Sequence, residues 1–231
     1  MPGLKTQIKQ ILKRLLFPVK WHQLRTLTPV STVFGLDRGT PIDRYYIENF
    51  LRSQSTHIRG VVLEIAESSY SKQFGGERVT AFEVLHYTHD NKNATIVGDL
   101  CDHRSLPANK IDCFICTQTF QFIYNYKDAI RGAYHMLKEG GVLLATVAGI
   151  SQISRYDMDK WGDYWRFTSL SAKASFEEVF GQNNVTVQAY GNVLSSTAFL
   201  HGISVEELTT KELDATDDNY QMLITIVAFK K

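Results

Sequence analysis

From residue 60 onward, short runs of β-branched and aromatic residues alternate with stretches in which apolar positions return every third or fourth place. A strand period followed by a helix period, repeated along the chain, is the pattern of βαβ units in a parallel sheet. The runs predict strands at 61–66, 79–84, 94–98, 111–117, 142–147, 185–190 and 220–229, each bounded by turn residues. Helices are expected between them. The clearest covers 127–138, where Ala129, Ile130, Ala133, Tyr134 and Leu137 make one apolar stripe that stops at Gly140-Gly141. Others are expected at 171–180 and at 193–201, the latter joining the last two strands. Upstream, Asp43 reads as the cap of a helix that lays Tyr45, Tyr46, Ile47, Phe50 and Leu51 on the core, behind a turn-rich stretch at 28–41. Residues 8–21 place Ile8, Ile11, Leu12, Leu15 and Leu16 on one helical face and Lys9, Lys13 and Arg14 away from it, an amphipathic helix. The chain thus divides into an N-terminal helical extension or lid, 1–58, and one α/β domain, 59–231.

With 231 residues the chain can bury one sizeable core with an appendage, but not two full enzyme domains. A formal net charge of +1, with no basic stripe interleaved with aromatics, argues against nucleic acid and for a small-molecule partner. Cys101, Cys113 and Cys116 form no even disulfide framework. Two of them fall in an apolar strand and lack a second Cys/His pair, so neither a metal site nor redox chemistry is expected, and a cytoplasmic location fits. No run reaches the roughly 18 apolar residues that a membrane span requires. The segment 8–21 lacks the small-residue cleavage site of a leader, and is expected to pack over the domain or to make peripheral contact with anionic lipid.

Chemistry is expected where ligands bind in open α/β sheets, outside the carboxyl ends of the strands. Glu64 stands near the end of the first strand, and Ala66, Glu67 and Ser68 form the turn after it, where backbone N–H groups can approach a ligand. After the fifth strand, residues 150–168 crowd aromatics and charges together. There Tyr156, Trp161, Trp165 and Arg166 suit the wall of an acceptor pocket for a sugar or polyol, with Asp157 as the candidate base if the acceptor is a neutral hydroxyl. Seven histidines are scattered without a catalytic spacing.

The acidic first strand with its turn, Lys138-Glu139-Gly140-Gly141-Val142-Leu143-Leu144 before a later strand, and the terminal strand pair together resemble a class I methyltransferase of the type 11 group. The resemblance implies a Rossmann-like fold with a mostly parallel seven-stranded sheet, its last strand antiparallel. It also implies S-adenosyl-L-methionine as cofactor. By position it implies Glu83 for the ribose hydroxyls, Asp99 and Leu100 for the adenine, and Thr117 and Gln118 on the edge shared by cofactor and acceptor. Three longer phrases, at 37–46, 117–124 and 150–168, resemble bacterial methyltransferase-like proteins associated with glycan or glycosyltransferase gene clusters. The family's first loop carries three spaced glycines, and here Ala66, Ser68 and Tyr70 stand in their places. Two functions follow. One is O-methylation of a small-molecule or glycan acceptor; the other is a catalytically degenerate binding or assembly protein in polysaccharide biosynthesis.

Overall fold

The structure, a computed structural model, describes residues 25–231. The amphipathic segment expected at 8–21 lies outside these residues. Seven strands form one sheet: β1 (Gly60–Ile65), β2 (Val79–His86), β3 (Ile96–Val97), β4 (Ile111–Thr117), β5 (Leu137–Ala148), β6 (Val185–Tyr190) and β7 (Leu223–Phe229). Their order across the sheet is β3-β2-β1-β4-β5-β7-β6. The first five run parallel, and β7 is antiparallel to both β5 and β6. This is the Rossmann-like class I methyltransferase architecture, as expected. The chain order reverses direction between β1 and β4, so their carboxyl ends open the crevice that such sheets use for ligands.

The helices are α1 (Ile42–Ser53), α2 (Tyr126–Met136), α3 (Arg155–Lys160), α4 (Ser169–Phe180), α5 (Val193–His201) and α6 (Thr210–Asp214). Because side chains alternate across a strand, each inner strand feeds two cores. Leu63, Phe114 and Leu143 meet Ile130, Met136 and Phe176 of α2 and α4 on one face. Val62, Cys113, Ile115 and Leu144 meet Ile47, Phe50, Leu51 and Phe199 of α1 and α5 on the other. The second core therefore joins the segment before β1 to the helical insertion between β6 and β7. Arg38 and Glu207 pair across the same join, and Thr40 donates to Glu206 from its N–H and its hydroxyl.

Several boundaries differ from expectation. The helix expected at 127–138 ends at Met136, because Leu137 already pairs with Ile111 at the start of β5. Gly140-Gly141 therefore lies inside the strand instead of ending a helix. The carbonyls at the buried end of the helix are served by the residue after the last strand: Lys230 donates from Nζ to Tyr134 O and Leu137 O at 3.1 and 2.9 Å, and to Asn109 Oδ1 at 2.8 Å. The strand expected at 94–98 shrinks to two residues, since Thr95 Oγ1, and not a backbone carbonyl, accepts the Val84 N–H. Pro41, not Asp43, occupies the cap of α1, and Asp43 falls in its first turn. α4 starts two residues early because Thr168 accepts the Ser171 N–H and completes a capping box.

Candidate active site

Register places the carboxyl ends side by side. Ile65 is level with Leu85, His86 with Val97, and Thr117 with Thr146, so the turns after β1, β2, β3 and β4 face one crevice. In the first turn Ala66 has φ +66°, the left-handed region that a glycine enters without cost. Two bonds hold it there: its N–H donates to Leu85 O at 3.0 Å, and its carbonyl accepts from Asn91 Nδ2 at 2.7 Å. Glu67 and Ser69 are exposed beside it, and Ser68 is half-buried. Glu64 is buried, and burial raises its carboxyl above the usual range. Its oxygens accept the Ser71 and Tyr70 N–H groups at 2.6 and 3.2 Å, so Glu64 caps the helical turn after the loop and fixes its path. Tyr70 stands where a glycine was expected but has an ordinary helical φ of −71°, and its ring packs on Phe74 instead of crowding the sheet.

Glu83 was expected at the end of the second strand. That strand runs two residues beyond the expected 84, to His86, which leaves Glu83 three residues short of its end and level with Leu63. Burial would raise its carboxyl, but hydrogen bonds from Thr95 and Lys110 outweigh it and hold it below the usual range. The Lys110 Nζ lies 2.9 Å away. The strand end itself carries His86 and the exposed Tyr87, which residue spacing did not single out for the cofactor. Asp99 does lie at the edge, after β3, with Oδ1 accepting the Cys101 N–H at 2.8 Å. Leu100 beside it is buried, and a Cβ built on Gly132 of α2 would come 1.9 Å from Leu100 O. Glycine at 132 lets the helix back this turn at contact distance. At the end of β4, Gln118 takes φ +48°, with its N–H on Thr146 O at 2.9 Å. Its Oε1 accepts from Gln121 Nε2 at 2.5 Å. Gln121 is 2% exposed, and its own Oε1 takes no partner among the described residues. Such an orphan beside a strand end is where a ligand hydroxyl, amine or water fits.

The loop between β5 and α4, residues 149–168, lies over this edge. It is stapled by Asp163, whose side chain is 1% exposed and binds Arg166 and the Ser154 N–H. Arg166 also donates to Gln152 O at 2.7 Å, so it holds the loop closed instead of facing a ligand. Trp165 packs on Tyr124 and Tyr126 and donates from Nε1 to Tyr124 O at 3.1 Å. Tyr156 is exposed, with Lys160 over its ring. Asp157 accepts the Ser154 hydroxyl at 2.6 Å while its N–H donates back at 3.3 Å, a reciprocal cap on the short helix α3. Of the expected acceptor wall, Trp161 alone reaches another strand end, meeting His86 and Tyr87 edge-on at 6.0 and 6.2 Å. Among the described residues no group of three or more His, Cys, Asp or Glu is placed to hold a metal, and no helix is long and apolar enough to cross a membrane.

Residues 65–145, from the end of β1 into β5, match the family described as a methyltransferase domain. No curated protein matches the chain. Among solved structures, a SAM-dependent methyltransferase from Archaeoglobus fulgidus is similar at 13% identity and TM-score 0.52, over 81% of this chain and 94% of that one. The [4+2]-cyclase SpnF is similar at 10% identity and TM-score 0.53, over 84% of each chain. At such identities the likeness is one of fold. The chain therefore has the class I methyltransferase fold, with a methyltransferase-domain match running through the loops that build its crevice.

Proposed function

We propose that the chain is a SAM-dependent methyltransferase that methylates an oxygen of a small-molecule or glycan acceptor. The observation that carries this reading is that the Ala66–Ser69 turn, Asp99-Leu100 and Thr117-Gln118 follow β1, β3 and β4 at the same edge of the sheet, with a Gln121 oxygen that takes no partner among the described residues. Small side chains in the first turn leave room for close approach, and the left-handed Ala66 supplies the bend that glycine provides elsewhere. These residues fit S-adenosyl-L-methionine, while Glu83, tied to Lys110, leaves the ribose to groups at the end of β2. When bound, the cofactor supplies an electrophilic methyl on a sulfonium. The chain must then place an acceptor oxygen in line and exclude water. Trp161 against His86 and Tyr87 closes one side of the crevice. Gln121 Oε1 would accept a hydrogen bond from the acceptor and orient it. Asp157, with Oδ2 on Ser154, remains the candidate base through its other oxygen.

The engagement of Glu83 favours a second reading, a binding or assembly protein in glycan production that keeps the fold without turnover. Calorimetric titration with the cofactor, followed by a glycan and small-molecule screen for methyl transfer, separates the two. Binding with turnover that falls on Trp161→Ala at unchanged cofactor affinity supports methyl transfer. Binding without turnover on any acceptor, or absence of cofactor binding in folded protein, overturns methyl transfer and supports the second reading.

A further inference from the structure

Six of the chain's 25 basic residues, and none of its 24 acidic ones, fall in the first 36 positions: Lys5, Lys9, Lys13, Arg14, Lys20 and Arg25. The described chain enters through the end of this stretch and runs along the rim of the crevice. Val30 and Ser31 donate from their N–H groups to His201 O, at the end of α5, and Gln152 of the β5–α4 loop donates to Thr32 O at 3.4 Å. Phe34 anchors the run by packing its ring, tilted, on that of Phe199 at 5.6 Å. The side chains between these anchors face outward: Val30, Val33 and Leu36 are 49%, 45% and 55% exposed. Next to the bonded His201 and Gln152 in the chain, Leu200 of α5 and Ile153 of the loop are 42% and 52% exposed. Isolated exposed aliphatics are ordinary, but five on three separate segments, joined by the two backbone bonds to His201 and the Gln152 side-chain bond to Thr32, mark an interaction surface.

We infer that this rim docks on an anionic lipid surface, with the basic segment before it supplying the electrostatic attraction. Charge decides between occupants. A second copy packed rim to rim would bring the same basic stretch against itself, whereas an anionic bilayer attracts each Lys or Arg and takes up the aliphatic side chains at its headgroup boundary. The amphipathic spacing of Ile8, Ile11, Leu12, Leu15 and Leu16 suits the same interface. Docking would turn the β5–α4 loop toward the bilayer. The inference does not depend on catalysis, so it stands or falls apart from the methyl-transfer reading.

The test is co-sedimentation of the full chain with vesicles of phosphatidylcholine alone or mixed with phosphatidylglycerol. The chain is expected to pellet with the mixed vesicles and not with the neutral ones, and to be released by high salt. Lys9→Glu with Lys13→Glu and Arg14→Glu should weaken the partition tenfold or more, from about 1 kcal/mol per basic residue at the surface. Val33→Ser with Leu36→Ser and Ile153→Ser should do the same at unchanged melting temperature, and Ile153→Ser alone, in an exposed loop, serves if the triple variant misfolds. Three results overturn the inference: no pelleting with mixed vesicles, pelleting indifferent to the rim substitutions, or light scattering that shows the rim instead holding a dimer.

Discussion

At φ +66° the Cβ of Ala66 crowds the following carbonyl oxygen, at a cost of about 1–2 kcal/mol. The bond its N–H donates to Leu85 O and the one its carbonyl accepts from Asn91 outweigh it, so the strain persists at the mouth of the crevice. Ala66→Gly removes the clash but adds about 0.5–1 kcal/mol of chain entropy to lose on folding. The variant should therefore gain up to about 1 kcal/mol and melt about 2–4 °C higher, as read by thermal unfolding, with the crevice intact. A melting temperature lowered by that amount would mean that Ala66 does not hold this conformation. The residue types of this turn were readable from the chain, but its φ was not. A left-handed alanine carries no local signal, because the bonds that enforce it are made with Leu85 and Asn91. The position of Glu83 was hidden for a related reason: spacing within the second strand cannot tell how far that strand continues, and β2 runs on to His86. Asp157 and Arg166 were attractive as ionisable groups in an aromatic loop, yet local partners engage both: Asp163 and Gln152 tie Arg166 into the loop, and Ser154 occupies one of the two Asp157 oxygens.

Among the elements, α2 and the turn after β3 are in closer contact than their sequences suggest. Gly132 lies within the apolar stripe of α2, where glycine costs helix stability and alanine would be preferred. Gly132→Ala should instead destabilise by about 1–3 kcal/mol, because the added methyl would have to displace Leu100 O, only 1.9 Å from its ideal position. Since Asp99 and Leu100 are displaced together, the same variant should weaken cofactor binding without touching the ligand. Chemical denaturation and calorimetric titration measure the two effects. A stable variant with unaltered affinity would remove this turn from the proposed cofactor site.

For the whole molecule, the tie between residues 38–40 and 204–207 joins parts of the chain far apart in sequence. Thr40 N–H and hydroxyl bonds hold the Glu206 carboxyl at about 2, and bonds from Arg38 and Ser204 hold that of Glu207 at about 2. Both values lie below the ordinary 4.5, so the unfolded or released segment binds protons more readily. The stabilisation is complete above about pH 4.5 and is lost as pH falls toward 2. The segment at 33–40 should thus open before the sheet does, with pepsin cleaving near Phe34 and Leu36 at low pH while strand amides stay protected from exchange. Glu206→Gln with Glu207→Gln should show the same release at neutral pH, detected by a protease active there.

The alternation of strand and helix periods, the apolar strands and the acidic first turn determined the α/β class and sheet from the sequence alone. Those signals are local: burial on one or both faces of an element dictates the spacing of its apolar residues. Tertiary structure decided which side chains at the strand ends are free. Whether Glu64, Glu83, Asp157 or Arg166 meets a ligand depends on Ser71, Lys110, Ser154 and Asp163, and on strand register, and for Glu64 and Glu83 these partners came to hand only when the sheet assembled. The unpartnered Gln121 oxygen and the exposed aliphatic rim have the same origin. One is an atom left over by the packing of a loop on a strand end; the other joins three segments that only the fold brings together.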